Sequence, residues 1–328
     1  MEVKWWVDGR RIKHRGFWFK PDFIKASEEI QAHFTPLSSD IILSSFPKTG
    51  TTWLKALTTS ILRHSSSSSN SGTKDCVSYR EHNDDDDDDD DDVLGALNPH
   101  QVIPFLEIET FGQSPTRDIA KIPSPRVFNT HLPLSFLPEA VKTSGCRIIY
   151  ITRNPADTFV SLWHWYKYRF GTQISIQEAF EEFCEGLVPA GPYFEHVLEF
   201  WVGSRDVRTR DRILFVTYED LKEKPEENVK RMAEFLGCLK VKEDSDGEVE
   251  KIVRECSFER LSKVEVNKGK GQEEEEEHWS GTKFGMFFRR GVVGDWKNHL
   301  TQEMMKKLQE IAEVKWAASG LDLDIFTR

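Results

Sequence analysis

The sequence predicts an α/β fold: a single domain over residues 1–328 with a central parallel sheet flanked by helices. Two observations carry that prediction. Three short segments are apolar along most of their length, as strands buried on both faces are, and each is followed by a stretch with helical spacing of its apolar residues. Strands that alternate with amphipathic helices pair in parallel, and ligands of such sheets bind beyond the carboxyl ends of the strands.

The first unit is Ile41–Phe46, a turn, and a helix whose apolar positions are Trp53, Leu54, Leu57 and Ile61. The second is the strand Arg147–Thr152. Its helix opens on Asn154 as N-cap and Pro155 at the first helical position, with Phe159, Trp163, Tyr166 and Phe170 recurring every three or four residues. The third is Ile213–Thr217, followed by a helix with Val229, Met232, Ala233 and Leu236 on one face and Gly237 as its stop. Segments near 65–92 and 269–277 are poor in apolar residues and read as surface insertions.

The formal charge of −11 comes from two runs, Asp84–Asp92 and Glu273–Glu277. Without those fourteen carboxylates the remainder carries +3, which suits a site for a small anion. No basic stripe marks a nucleic-acid partner. Five cysteines without a C-x-x-C pair fit a reducing compartment, and no apolar run reaches the roughly 18–20 residues of a membrane span. The N-terminus lacks an apolar signal core, so the expected location is cytoplasmic, with no membrane partner.

Chemistry is expected just after Phe46, Thr152 and Thr217. The turn Phe46-Pro47-Lys48-Thr49-Gly50-Thr51-Thr52-Trp53 is P-loop-like. Gly50 lets successive N–H groups converge on one anion, the following helix adds its N-terminal donors, and Thr49, Thr51, Thr52 and Lys48 add hydroxyls and a charge. It is not a Walker A loop, because Lys48 precedes Gly50 and G-K-[ST] occurs nowhere in the chain.

FPKTGTTW at 46–53 resembles the 5'-phosphosulfate loop of cytosolic sulfotransferases. NTHLP at 129–133, RNPADTFVS at 153–161, TYED at 217–220 and FFRRGVVGDWKNHL at 287–300 follow in that family's order, and the wording of several segments is similar to the plant branch. The resemblance implies transfer of a sulfuryl group from 3'-phosphoadenosine 5'-phosphosulfate (PAPS) to a hydroxyl of a small apolar metabolite, of the flavonoid, steroid, hydroxyjasmonate or desulfoglucosinolate class. PAP is the product, and no metal is implied.

It also assigns roles. His131 is the general base and Lys48 stabilises the leaving phosphate. Arg153, Ser161, Arg289, Arg290 and Gly291 take the 3'-phosphate. Trp53, Tyr218, Cys256, Ser257 and Phe258 surround adenine. His164, the competing histidine, is expected to pack or hydrogen-bond. Trp165, Phe105, Phe17 and Trp18 are candidates for the acceptor pocket. Two departures stand out. Several animal members carry a lysine where Asn129 stands, and their dimer motif, K-x-x-x-T-V-x-x-x-E, has Gln302 and Lys306 here at its valine and glutamate positions. A monomer is therefore expected. The alternative reading is a P-loop nucleotide kinase or NTPase with ILFVTYED as its acidic strand, separable by a requirement for magnesium.

Overall fold

The computed structural model describes residues 2–3, 11–66, 93–238, 241, 243, 247–268 and 283–321. Most of the two predicted insertions, including both acidic runs, lies outside the described residues.

The chain opens with a small antiparallel sheet, β1 (Glu2–Val3), β2 (Arg11–His14) and β3 (Phe17–Phe19), and helix α1 (Pro21–His33). The central sheet follows as β4 (Ile41–Ser45), β5 (Val127–Thr130), β6 (Arg147–Thr152) and β7 (Ile213–Thr217). Its order is β5-β4-β6-β7 and every pairing is parallel. Between β4 and β5 lie α2 (Thr51–Ser66), α3 (Val93–Ala96) and α4 (Pro99–Val102). α5 (Glu139–Thr143) leads into β6, and α6 (Pro155–Phe170), α7 (Ile176–Cys184) and α8 (Tyr193–Gly203) lead to β7. Beyond β7 come α9 (Tyr218–Glu223), α10 (Pro225–Leu236), α11 (Glu248–Glu255), α12 (Phe258–Leu261), α13 (Glu265–Lys268) and α14 (Gln302–Trp316).

Strand alternation explains why the strands are mostly apolar. Ile42, Phe128, Ile148, Tyr150 and Phe215 enter one core layer, with α6, α8 and α14. Ile41, Leu43, Val127, Ile149, Ile151 and Leu214 enter the other, with α2, α10 and α11. Both faces are covered, so alternate positions are mostly apolar; Ser44 of β4 is an exception, buried with its hydroxyl lacking a hydrogen-bond partner among the described residues.

The predicted units are present, with β4 ending one residue early at Ser45. Asn154 caps α6 by accepting a hydrogen bond from the Ala156 N–H, and Gly237 ends α10 at φ 77°. The third unit departs from expectation because Pro225 breaks the helix after β7 into α9 and α10. β5 was not anticipated. Its core VFNT holds Asn129 and Thr130, both fully buried, so its apolar run is too short to read as a strand.

From β4 the chain moves to one side of the sheet, and from β6 to the other. The switch point therefore lies between β4 and β6, where a crevice opens beyond the strand ends. The turn after β4 and Arg153 after β6 face each other there.

Candidate active site

The turn between β4 and α2 is held by its own threonines. The Thr49 hydroxyl lies 2.7 Å from the Phe46 carbonyl oxygen and 3.0 Å from that of Ile151, so it ties the turn to β6. Thr51 shares a 2.7 Å hydrogen bond with Ser45, and Thr52 pairs with His100 Nε2 at 2.8 Å. Lys48 adopts φ 72°, the left-handed region that a non-glycine residue rarely occupies, which places strain at the loop itself. Gly50 has φ 118°, and a Cβ there would come within 2.9 Å of both Ile151 and Tyr218. Only glycine allows the backbone to pass that close.

This turn forms one wall of a cavity of about 470 Å³. Pro47, Lys48, Gly50, Thr51, Thr52 and Trp53 line it, whereas Thr49 is fully buried behind the turn. Thr49 was grouped with the hydroxyl donors from sequence. Its hydroxyl instead goes to two backbone carbonyls, so its contribution is to the shape of the loop.

Arg153, first residue after β6, donates to the Val292 carbonyl at 2.7 Å and to Asp157 at 3.1 Å. Its guanidinium carbon sits 4.6 Å from the Tyr218 ring centroid. Asp157 also accepts the backbone N–H groups of Gly294 and Trp296 at 2.8 and 2.9 Å, which pins the 287–300 segment onto α6. Asp295, 2% exposed, bridges Arg289 at 2.7 Å and Arg290 at 2.5 Å. Against its burial, hydrogen bonds from the Asn298 amide and then from Arg289 and Arg290 hold the Asp295 carboxyl well below the usual carboxylate range. Two buried carboxylates thus stand behind three arginines and orient them toward the cavity. Gly291 has φ 64°, and a Cβ there would lie 2.3 Å from the Phe258 ring.

Beside the turn, Trp53 meets Tyr218 edge-to-face at 5.3 Å. Trp53 lies on the apolar side of α2 and on the cavity at once, which the sequence left as rival readings. Cys256, Phe258 and Ser161 also line the cavity. Ser257 does not. Its hydroxyl caps α12 by accepting from the Arg260 N–H at 3.2 Å.

Lys48 approaches Trp165 and Phe287 at 5.6 and 5.5 Å from its Nζ. Burial, then the neighbouring Arg289 and Arg153, bring its pKa down to about 7. The cations crowd one another until an anion arrives.

His131 follows β5 on the cavity wall. Its Nδ1 lies 2.7 Å from the Ser45 carbonyl oxygen, which can only accept, so Nδ1 carries the proton and Nε2 holds a lone pair. The Glu107 carboxylate accepts the His131 backbone N–H at 2.7 Å, and His196 Nε2 donates to the His131 carbonyl at 3.1 Å. Burial foremost, with the nearby His196, Lys55 and Lys48, lowers the His131 pKa to about 3. His164 instead packs on Trp163 and His299, with ring centroids at 4.8 and 4.9 Å.

Beneath His131 is a buried network that the sequence did not disclose. Lys55 Nζ donates to the Ile103 carbonyl at 2.7 Å, meets His100 Nδ1 at 3.2 Å and lies 4.0 Å from the Phe105 ring centroid. Burial lowers the Lys55 pKa, opposed by Glu109 and Glu107, and burial raises that of Glu107. Lys55 falls off the apolar stripe of α2 and reads as solvent-facing, so no local pattern reveals it. Asn129, at the position of the animal lysine, is fully buried, and its side-chain amide finds no hydrogen-bond partner among the described residues.

Trp165, Phe105 and Trp18 line the cavity as anticipated for an acceptor pocket, together with Phe19. Phe17 does not. It packs in the core at 5.8 Å from Phe136 and 6.3 Å from His196.

A family model described as "Sulfotransferase domain" matches residues 38–320, a span that contains every wall residue named above except Trp18 and Phe19. The chain belongs to the sulfotransferase family. It is similar to cytosolic sulfotransferase 11 of Arabidopsis thaliana (39% identical, covering 94% of this chain and 81% of that protein). Cytosolic sulfotransferase 5 of the same plant is 40% identical, with 94% and 89% covered. Among solved structures, a putative steroid sulphotransferase of Arabidopsis thaliana superposes with a TM-score of 0.70 at 34% identity, covering 98% of this chain and 92% of that one. A mouse sulfotransferase complexed with PAP superposes at 0.68 with 26% identity, 94% and 95% covered. As a sulfotransferase, this chain has to hold an activated sulfate and an acceptor in one cavity, and its wall divides accordingly into a cationic and an aromatic half.

Proposed function

We propose that this sulfotransferase moves a sulfuryl group from PAPS to a hydroxyl of a small, largely apolar metabolite, acting in the cytosol as a monomer built from one catalytic domain. The observation that carries this reading is the pairing, across one cavity, of Lys48 on the anion-binding turn with a His131 whose Nε2 is free to take a proton.

The donor is a substrate whose phosphate and sulfate oxygens match the cations present. The N-terminus of α2 with Lys48, Thr51 and Thr52 receives the phosphosulfate end, and Arg153, Ser161, Arg289, Arg290 and Gly291 receive the 3'-phosphate. Trp53, Tyr218 and Phe258 hold adenine by their faces, with Cys256 packed behind. The acceptor hydroxyl gives its proton to His131 Nε2 as its oxygen bonds to sulfur. The bond between sulfur and the bridging phosphate oxygen breaks, and Lys48 neutralises the charge that develops there. The low pKa of His131 has a consequence: its cationic form is disfavoured by burial and by the nearby His196, Lys55 and Lys48. The anionic donor offsets those cations, so proton abstraction becomes favourable only once the donor is bound.

The monomer follows from the dimer-motif departures. Thr301 uses its hydroxyl to cap α14, accepting from the Met304 N–H at 3.2 Å, and Lys306 is an exposed cation beside Glu310 at 3.8 Å. A second copy would bring two such lysines toward each other's motif lysine, Lys297. Light scattering at micromolar concentration checks this, and a stable dimer broken by substitution of Lys297 would contradict it.

Transfer of radiolabelled sulfate from PAPS to a panel of hydroxylated aromatics in the presence of a chelator tests the proposal. A kinase or NTPase would lose activity with the metal, whereas sulfuryl transfer continues.

A further inference from the structure

His100 and His131 are both among the described residues that line the cavity, and the structure holds them differently. His131 gives its Nδ1 hydrogen to the Ser45 carbonyl. His100, on α4, has both ring nitrogens engaged: Nδ1 lies 3.2 Å from Lys55 Nζ, and Nε2 lies 2.8 Å from the Thr52 hydroxyl. Its place is fixed from several sides. Its backbone N–H donates to the Asn98 side chain at 2.9 Å, and the Asn98 amide donates in turn to Asn267 at 2.6 Å. The ring stacks on Phe287 with centroids 4.2 Å apart, and Phe287 stands just before the arginines of the 287–300 segment.

The direction of each hydrogen follows from Lys55. Its Nζ donates to the Ile103 carbonyl at 2.7 Å and faces the Phe105 ring at 4.0 Å. Burial works against its charge, whereas Glu109 and Glu107, both buried, favour the ammonium. An ammonium has no lone pair, so His100 Nδ1 can only accept from it. The His100 hydrogen then sits on Nε2 and goes to Thr52 Oγ1. That leaves the Thr52 hydroxyl hydrogen for an oxygen in the cavity, where Thr52 is part of the anion-binding turn. The opposite tautomer would draw the Thr52 hydrogen onto Nε2 and turn oxygen lone pairs toward an incoming anion. A phosphate or sulfate oxygen needs the donor, not the lone pair.

We infer that Lys55 and His100 are positioning residues for the sulfuryl donor: they orient the Thr52 hydroxyl so that it donates to the phosphosulfate. This rests on the sulfotransferase reading, which puts the phosphosulfate at the N-terminus of α2, and adds to it a pair of residues that act through Thr52. The buried charge of Lys55 thereby gains a use. Without it His100 takes either tautomer, and the turn loses the fixed polarity of its hydroxyl. The two histidines end as opposites: His131 has a bare Nε2 that takes a proton, and His100 has a protonated Nε2 that gives a hydrogen bond.

Calorimetric binding of PAP and of adenosine 3'-monophosphate, which lacks the 5'-phosphate, provides the test. Thr52→Val is expected to reduce the preference for PAP about tenfold, as loss of a hydrogen bond to a charged group should. Lys55→Met is expected to reduce it several-fold in the wild-type background and no further once Thr52 has become Val. A Lys55→Met loss of the same factor in both backgrounds, or in neither, would overturn the inference, because a lysine that serves only the fold does not depend on the Thr52 hydroxyl. The tautomer gives a readout that needs no change at Lys55. In proton–nitrogen spectra of the protein carrying isotope-labelled histidine, with the His100 signals assigned by His100→Gln, the hydrogen is expected on Nε2. A hydrogen on Nδ1 would overturn the inference and leave the sulfotransferase reading standing. An unchanged preference for PAP in Thr52→Val would overturn both the inference and the place of the phosphosulfate on this turn.

Discussion

The two ends of the cavity are built differently. At the donor end each arginine is oriented by a buried carboxylate, Asp157 or Asp295, and the backbone is shaped by Gly50 and Gly291, where a side chain would collide with Tyr218 or Phe258. At the acceptor end the wall is made of single side chains from β2, β3, α6 and the 105–108 segment, and aromatic rings predominate. A donor with fixed charges rewards rigid, over-determined contacts. An acceptor pocket assembled from separate elements can change one residue at a time without disturbing the donor half.

The largest effect should come from the residue between the halves. His131→Ala is expected to lower kcat by about 10²–10⁴-fold while PAP affinity, measured by calorimetry, changes little. A variant that keeps half the wild-type rate would remove His131 from the chemistry and break the division drawn here. Next, Arg153→Ala should weaken PAP far more than adenosine 5'-monophosphate, by roughly 1.5–3 kcal/mol for a charge-assisted contact. Equal losses for both nucleotides would show that Arg153 serves the fold rather than the 3'-phosphate.

A smaller effect sharpens the comparison electrostatically. Burial, with the neighbouring Arg289 and Arg153, lowers the Lys48 pKa to about 7. At pH 8 it is then mostly neutral, and binding of an anion raises its pKa. PAP binding at pH 8 should therefore take up about one proton, seen as a dependence of the binding enthalpy on buffer ionisation. The uptake should vanish in Lys48→Met and shrink at pH 6, where Lys48 is already charged. Release of protons at pH 8 would contradict the assignment. The smallest donor-side effect is expected from Trp165→Ala, which should raise acceptor KM about tenfold through lost aromatic contact and leave PAP affinity within about twofold. A larger loss of PAP affinity would mean that the two halves are not separable.

The same contrast decides what could be read from the sequence. The donor end lies in contiguous segments at strand ends, where the sheet rule already calls for a ligand, and most of its residues line the cavity. Thr49 and Ser257 depart because a motif does not say which hydroxyl faces outward and which ties down backbone. Lys55, Glu107 and His100 were not legible, since their burial depends on how α2, α4 and the 103–109 segment pack together. Arg11 was not legible for a similar reason: a charged residue on a short strand reads as solvent-exposed, yet it is buried and hydrogen-bonded to Tyr166.

The most direct test of the account is a single-turnover transfer of labelled sulfate from PAPS to a hydroxylated aromatic acceptor, run in excess chelator with wild-type protein and with His131→Ala. The account predicts label on the acceptor with wild-type protein, and PAP binding retained but transfer nearly abolished in the variant. Label released only when magnesium is restored, or transferred equally well without His131, would contradict it.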